Sequence, residues 1–147
     1  MWRRQRLALL FIDLDHFGKI NKDPRLGYAV GDETLQHAAQ IILRSSRWPA
    51  FVCRLGGDEF AVLIRKSLRE EVLHIAHRIR HDIETHVFSH GLRLTASIGI
   101  GTKPGMHSMS KDDLFAFADP ALRRAKQNRN CVIEGECISP DPSSKIL

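Results

Sequence analysis

The chain has 147 residues, and 22 basic against 17 acidic side chains give it a formal charge of +5. Apolar residues make up 43% and charged residues 27%, ordinary globular usage that excludes a disordered chain, and the length suits one domain or one domain with a tail. No run of 18 apolar residues exists, which excludes a membrane-spanning helix and predicts no direct membrane insertion.

Arg3, Arg4 and Arg6 precede the apolar stretch Leu7–Ile12, but Asp13 ends that stretch too soon for the core of a signal peptide. A central strand covered on both faces, in a cytoplasmic chain, is the expectation. Cys53, Cys131 and Cys137 form no Cys-x-x-Cys pair, which argues against a disulfide framework or a zinc site and for reduced thiols. The mild positive charge suits a phosphorylated partner and a plain soluble protein equally well.

Residues 16–31 read as a loop punctuated by Gly18, Asn21, Pro24, Gly27 and Gly31. Asp32 reads as the N-cap of a helix carrying Leu35, Ala38, Ala39 and Ile42 at helical spacing to about Arg47, where Trp48-Pro49 stops it. Phe51–Leu55 and Phe60–Ile64 are short apolar runs joined by Gly56-Gly57-Asp58-Glu59, a hairpin signal. Leu68, Val72, Ile75, Ala76, Ile79, Ile83 and Val87 line one face of the clearest helix. His74, His77 and His81 lie opposite and read as a solvated face. Leu92–Ile100 alternates like a strand with one apolar face. Ser110-x-x-Asp113 resembles a capping box for a last helix through Leu114, Phe117, Ala118, Ala121, Leu122 and Ala125, with a kink or restart expected at Pro120. Cys131–Ile133 reads as a final short strand, and residues 139–147 as a flexible tail. The order predicts an α+β fold with a mixed central sheet covered by helices.

Asp13 ends a buried strand, while Asp58 and Glu59 sit at a tight turn between two others. If these strands are sheet neighbours, the carboxylates converge into a hard oxygen site suited to Mg²⁺, and side-chain-free Gly56 and Gly57 let a phosphate approach the main chain. A polar hairpin turn with no such role would look the same. Arg123, Arg124, Lys126 and Arg129 gather at a helix end with no acid between Pro120 and Asn130. They suit either a polyphosphate or the negative end of the helix dipole. Asn21 and Asp32 offer the donors and acceptors that a purine edge needs, and equally serve as a loop residue and a cap.

Arg54-Leu55-Gly56-Gly57-Asp58-Glu59-Phe60 resembles the signature of the GGDEF family, the diguanylate cyclases. Four further blocks agree in order: Phe11-Ile12-Asp13-Leu14-Asp15-His16-Phe17, Asn21 with Gly31-Asp32, Thr95-Ala96-Ser97-Ile98-Gly99-Ile100, and Ala118-Asp119 through Ala125-Lys126 to Arg129-Asn130. The resemblance covers about residues 7–134. It implies a nucleotide-cyclase or polymerase-palm-like domain with a ferredoxin-like core, spanning residues 1–138. It further implies condensation of two GTP into cyclic di-GMP by a transient face-to-face homodimer. Carried over, Asp13, the Leu14 carbonyl and Asp58 would hold Mg²⁺ or Mn²⁺, and Asp58 and Glu59 would be the catalytic acidic pair. Gly56 and Gly57 would let GTP close on the backbone, Asn21 and Asp32 would read guanine, and Phe17, Lys19, Lys126 and Arg129 would surround the phosphates.

The chain departs from the family pattern at several points. Gly18 stands where Lys is common, with Lys19 as a substitute. Asn21 to Gly27 is about two residues longer than usual, Tyr28 replaces a His, and Arg123 a Tyr. Lys126 to Arg129 is one residue short. The inhibitory Arg-x-x-Asp is reduced to Arg47, since Ala50 takes the place of the Asp, which predicts weak or absent product inhibition there. The family's usual segment before the first strand does not precede Leu7, as expected of a truncated copy or excised fragment. Two other readings stay open. One is a degenerate module that binds GTP and regulates an attached sensor or phosphodiesterase domain. The other is a general nucleotide-polymerising palm, for which no extended basic groove speaks, so no nucleic-acid partner is expected.

Overall fold

The computed structural model describes residues 6–47, 50–104 and 111–135. The elements are β1 (Arg6–Asp15), α1 (Phe17–Lys22), α2 (Gly27–Ser46), β2 (Ala50–Gly56), β3 (Glu59–Ser67), α3 (Arg69–Thr85), β4 (Thr95–Pro104), α4 (Lys111–Asn128) and β5 (Val132–Glu134). One five-stranded sheet runs in the order β2-β3-β1-β4-β5. β1 pairs antiparallel with both β3 and β4, β2 with β3, and β5 joins β4 parallel, so the sheet is mixed as expected.

β1 is apolar without alternation because both of its faces are covered. Ala8, Leu10, Ile12 and Leu14 enter the larger core with Ile41 and Ile42 of α2 and Val72, Ala76, Ile79 and Ile83 of α3. Leu9 and Phe11 pack on the opposite face with Ala61, Ala118 and Leu122. There the Phe11 and Phe115 rings meet edge to face at 5.5 Å. α3 keeps its apolar stripe inward, His74, His77 and His81 are exposed, and its first turn is closed by the Leu68 N–H donating to Glu71 Oε2 at 2.7 Å. Val87 lies beyond the helix and is exposed, not on the buried stripe.

Several expectations are corrected. Residues 16–31 hold α1 and the first turns of α2, and Asp32 lies inside α2, whose N-cap is Leu26. Of the glycines that signal a loop here, Gly31 serves helix packing instead: a Cβ on it would meet Asn21 Oδ1 at 1.9 Å, so α1 lies directly on α2 at that point. β4 begins at Thr95, with Leu92 exposed in the preceding connection. Its second face is not open to solvent, since Ser97 is fully buried and Gly99 lies under α4. α4 is one helix containing Pro120, with no restart there. Ser110 of the expected capping box, Trp48-Pro49, Cys137 and the tail 139–147 lie outside the described residues.

Gly99 sets the depth of α4. A Cβ there would meet Leu122 N at 2.2 Å and Ala118 O at 2.6 Å, both backbone atoms that move only if the helix moves. Gly99→Ala is therefore expected to cost about 1–3 kcal/mol, as overpacking does. The check is a lower denaturant midpoint at unchanged m-value.

Candidate active site

The site forms where the C-terminal end of β1 meets the β2–β3 turn and the C-terminal half of α4. Asp13 stands opposite Glu59 in the β1–β3 ladder and opposite Ser97 in the β1–β4 ladder. The Leu14 N–H donates to the Asp58 carbonyl at 3.2 Å, which fastens the turn to the strand end. Gly56 and Gly57 have φ of 146° and 52°, conformations that side chains oppose, and Arg54 Nε donates to the Gly57 carbonyl at 2.9 Å. The three acids are thus neighbours because strands distant in sequence pair.

Their electrostatics follow from that crowding. Burial pushes the Asp13 carboxyl above its ordinary value, and the charges of Asp58 and Asp15 push the same way against Lys126. Burial also raises Glu59, helped by the charges of Asp13, Asp58 and Asp119. Lys126 Nζ lies 2.7 Å from Asp13 Oδ1 and 3.1 Å from Asp15 Oδ1.

Asp15, which the sequence reading assigned no role, organises the second half of the site. It accepts from Thr95 Oγ1 at 2.7 Å, Ser97 Oγ at 2.7 Å, Lys126 Nζ at 3.1 Å and the Asn130 N–H at 2.9 Å. Burial alone would raise its carboxyl, but the bonds from Ser97, Thr95, Asn130 and Lys126 outweigh that and hold it below the usual range. A signal did exist in the sequence: two hydroxyls at alternate positions of one strand, and Asp-x-Asp at the end of another. Only the strand pairing joins them.

The basic residues divide. Arg123 pairs with Asp119 one turn earlier at 2.9 Å and is exposed, so the four basic residues of the helix end do not act as one cluster. Arg129 follows α4 in a left-handed conformation with φ of 60°, its N–H bonded to the Ala125 carbonyl at 2.8 Å. Its charge is the leading cause that depresses the His16 imidazole, with burial and the charges of Lys19 and Lys126 contributing. Asn130 is held by Arg80 at 2.8 Å and by its own amide donating to Glu84 at 3.0 Å. Glu84, drawn down to about 2 by the bonds from Arg80 and Asn130, also receives Arg93.

The remaining expected site residues make no hydrogen bond or ion pair with the acids among the described residues. Asn21 rests on Gly31, next to Asp32. Asp32 lines a cavity of about 460 Å³ with Leu35, Gln36, Val52, Arg54 and Phe60. Phe17 is buried in the larger core, and Lys19 is exposed. Arg47 is exposed at the C-cap of α2, with φ of 57°.

The donor set fits a hard divalent cation. Asp13, Asp58 and Glu59 supply carboxylate oxygens, and an ammonium already sits against one of them. Among the described residues no three His, Cys, Asp or Glu side chains close into a metal-ligand group. Such an ion would need further oxygens from a ligand, as Mg²⁺ typically takes from phosphates. Among the described residues no helix is long and apolar enough to cross a membrane.

The profile of the family described as "Diguanylate cyclase, GGDEF domain" matches residues 2–131. The chain is 36% identical over 130 residues to "Diguanylate cyclase DgcM" of Escherichia coli, covering 88% of this chain and 31% of that protein. It is 35% identical over 129 residues to "Bifunctional diguanylate cyclase/cyclic di-GMP phosphodiesterase MucR" of Pseudomonas aeruginosa, covering 86% of this chain and 18% of that protein. The chain thus spans a third or less of the length of these relatives. Among solved structures it is similar to the active GGEEF domain of a diguanylate cyclase from Vibrio cholerae. The TM-score is 0.80 at 27% identity, over 90% of this chain and 85% of that one.

Proposed function

The chain belongs to the GGDEF family of diguanylate cyclase domains, and from that premise we propose that it condenses two GTP into cyclic di-GMP with release of two pyrophosphates. The observation that carries this reading is the meeting of Asp13, Glu59 and the Asp58 turn with the Lys126 ammonium at one end of the sheet. Each domain holds one GTP, and two domains meet face to face as a transient homodimer. The 3′-hydroxyl of each nucleotide attacks the other's α-phosphorus; one P–O bond forms as the bond to pyrophosphate breaks, and each hydroxyl gives up a proton.

Asp13, Asp58 and the Leu14 carbonyl are the groups to hold Mg²⁺ or Mn²⁺. Bound there, the ion would neutralise triphosphate charge and polarise the α-phosphate. Glu59, whose raised proton affinity suits a general base, lies at the acidic pair where the attacking hydroxyl would lose its proton. Gly56 and Gly57 leave open space above the turn main chain for the phosphates. Lys126, Arg129 and Lys19, with the main chain at Phe17, oppose the phosphate charge. Asp32, with Asn21 beside it, offers its carboxylate to the N–H edge of guanine in the cavity that Leu35 and Phe60 line. Arg47 without an acidic partner at Ala50 supports weak product inhibition. An attached sensor or phosphodiesterase domain would supply regulation in a longer protein.

Incubation with GTP and Mg²⁺ is expected to yield one cyclic di-GMP and two pyrophosphates per turnover. Product formation should rise more steeply than linearly with protein concentration, because the site needs two domains. Tight GTP binding with no product would instead favour a regulatory GTP-binding module. Strict linearity down to nanomolar protein would overturn the weak dimer.

A further inference from the structure

We propose that Lys126 is a resident counter-cation for Asp13 that gives way to a divalent cation, with Asp15 as the tether that keeps the displaced ammonium at the site. This rests on the reading of Asp13 as a metal ligand.

The two carboxylates that share the ammonium are held very differently. Asp15 is fully buried and keeps three other donors, from Thr95, Ser97 and the Asn130 main chain, so its charge stays compensated without Lys126. Asp13 is partly exposed and faces Glu59 across the ladder and Asp58 at the turn, both acidic. Lys126 is the cation that the described residues bring into contact with Asp13. A point charge 2.7 Å from the oxygen occupies the space a divalent ion must take, and the two cations would repel strongly in a half-buried site. Lysine is suited to the exchange, since its ammonium rides on a flexible four-carbon stem. The permanent charge of Asp15 keeps the ammonium within reach when Asp13 releases it.

Two consequences follow. The nucleotide-free protein binds divalent cations weakly, because it must first displace its own ammonium. Metal and triphosphate bind cooperatively, because the phosphates give the displaced ammonium a new partner, and the coupling is reciprocal.

Free Mn²⁺ counted by electron paramagnetic resonance tests this without turnover. In the nucleotide-free protein, Lys126→Met is expected to bind Mn²⁺ about tenfold more tightly than the wild type. Lys126→Arg, which keeps a cation there, should stay near the wild-type affinity, and Asp13→Asn should lose the site. A non-hydrolysable GTP analogue should tighten Mn²⁺ binding more in the wild type than in Lys126→Met. Circular dichroism confirms that each variant is folded, and Lys126→Gln serves as the second neutral variant. Equal, weaker or undetectable Mn²⁺ binding by both neutral variants, with Asp13→Asn still abolishing the wild-type site, overturns the exchange and leaves the metal reading standing. Unchanged Mn²⁺ binding in Asp13→Asn overturns the metal reading itself, and the exchange with it.

Discussion

Glu59→Gln is expected to lower cyclic di-GMP synthesis at least about a hundredfold, the usual scale for removing a general base, while raising thermal stability by about 2 °C. The two effects have one cause. Glu59 is half-buried beside Asp13, Asp58 and Asp119, and that burial together with those charges raises its proton affinity above the ordinary 4.5. A carboxylate raised on folding binds its proton more tightly in the native state than in the unfolded chain. Its contribution to stability therefore falls as pH rises through the interval above 4.5, and the full cost is present once the folded carboxyl has ionised. The amide removes that cost and also removes the base. Thermal melts of both proteins from pH 4 to 8 check it: the wild type should lose more stability than the variant as pH rises. Activity retained within tenfold would remove Glu59 from the acidic pair.

Asp15→Ala should destabilise the fold by about 3–5 kcal/mol, the scale for deleting one partner of a buried, charged network. The loss strands two hydroxyls, a main-chain N–H and part of the hold on Lys126 at once. The carboxyl is held below its ordinary 3.8, so its stabilisation is present above that value and disappears as pH falls through the lower folded value. Chemical denaturation at pH 7 and at progressively lower pH separates the variants, with the gap between the wild type and Asp15→Ala narrowing as the folded carboxyl is protonated. Asp15→Asn retains a carbonyl acceptor for Ser97 or Asn130 and should fall between them. A loss under 1 kcal/mol in Asp15→Ala would show that the neighbours find other partners.

The candidate site was partly legible in the chain because its signals are local. Asp13 ends an uninterrupted apolar strand, and Gly56-Gly57-Asp58-Glu59 lies between two others, so a hairpin and an acidic strand end can be read within a few residues of each. The apolar face of α3 repeats with the helical period, and the buried residues Val72, Ala76, Ile79 and Ile83 follow it. Residues 17–31 could not be read this way. Their glycines suit a loop by propensity, and the close seating of Asn21 on Gly31, a contact between two helices, is not written in either segment alone.

Sequence alone pointed to the family and the mixed α+β fold and singled out Asp13, Asp58 and Glu59 as candidates, since each is carried by a short motif or a periodic pattern. Tertiary structure decided how they are used. It placed Ser97 and Gly99 under α4 rather than in solvent, because a helix from the far end of the chain covers β4. It gave Lys126 of that helix to Asp13 and Asp15, while Arg123 keeps a local partner in Asp119. Thr95, Ser97 and Asn130 likewise became partners of a carboxylate some 80 to 115 positions away. Hydrogen bonds and ion pairs over such separations depend on strand order and helix depth, and neither propensity nor periodicity encodes those.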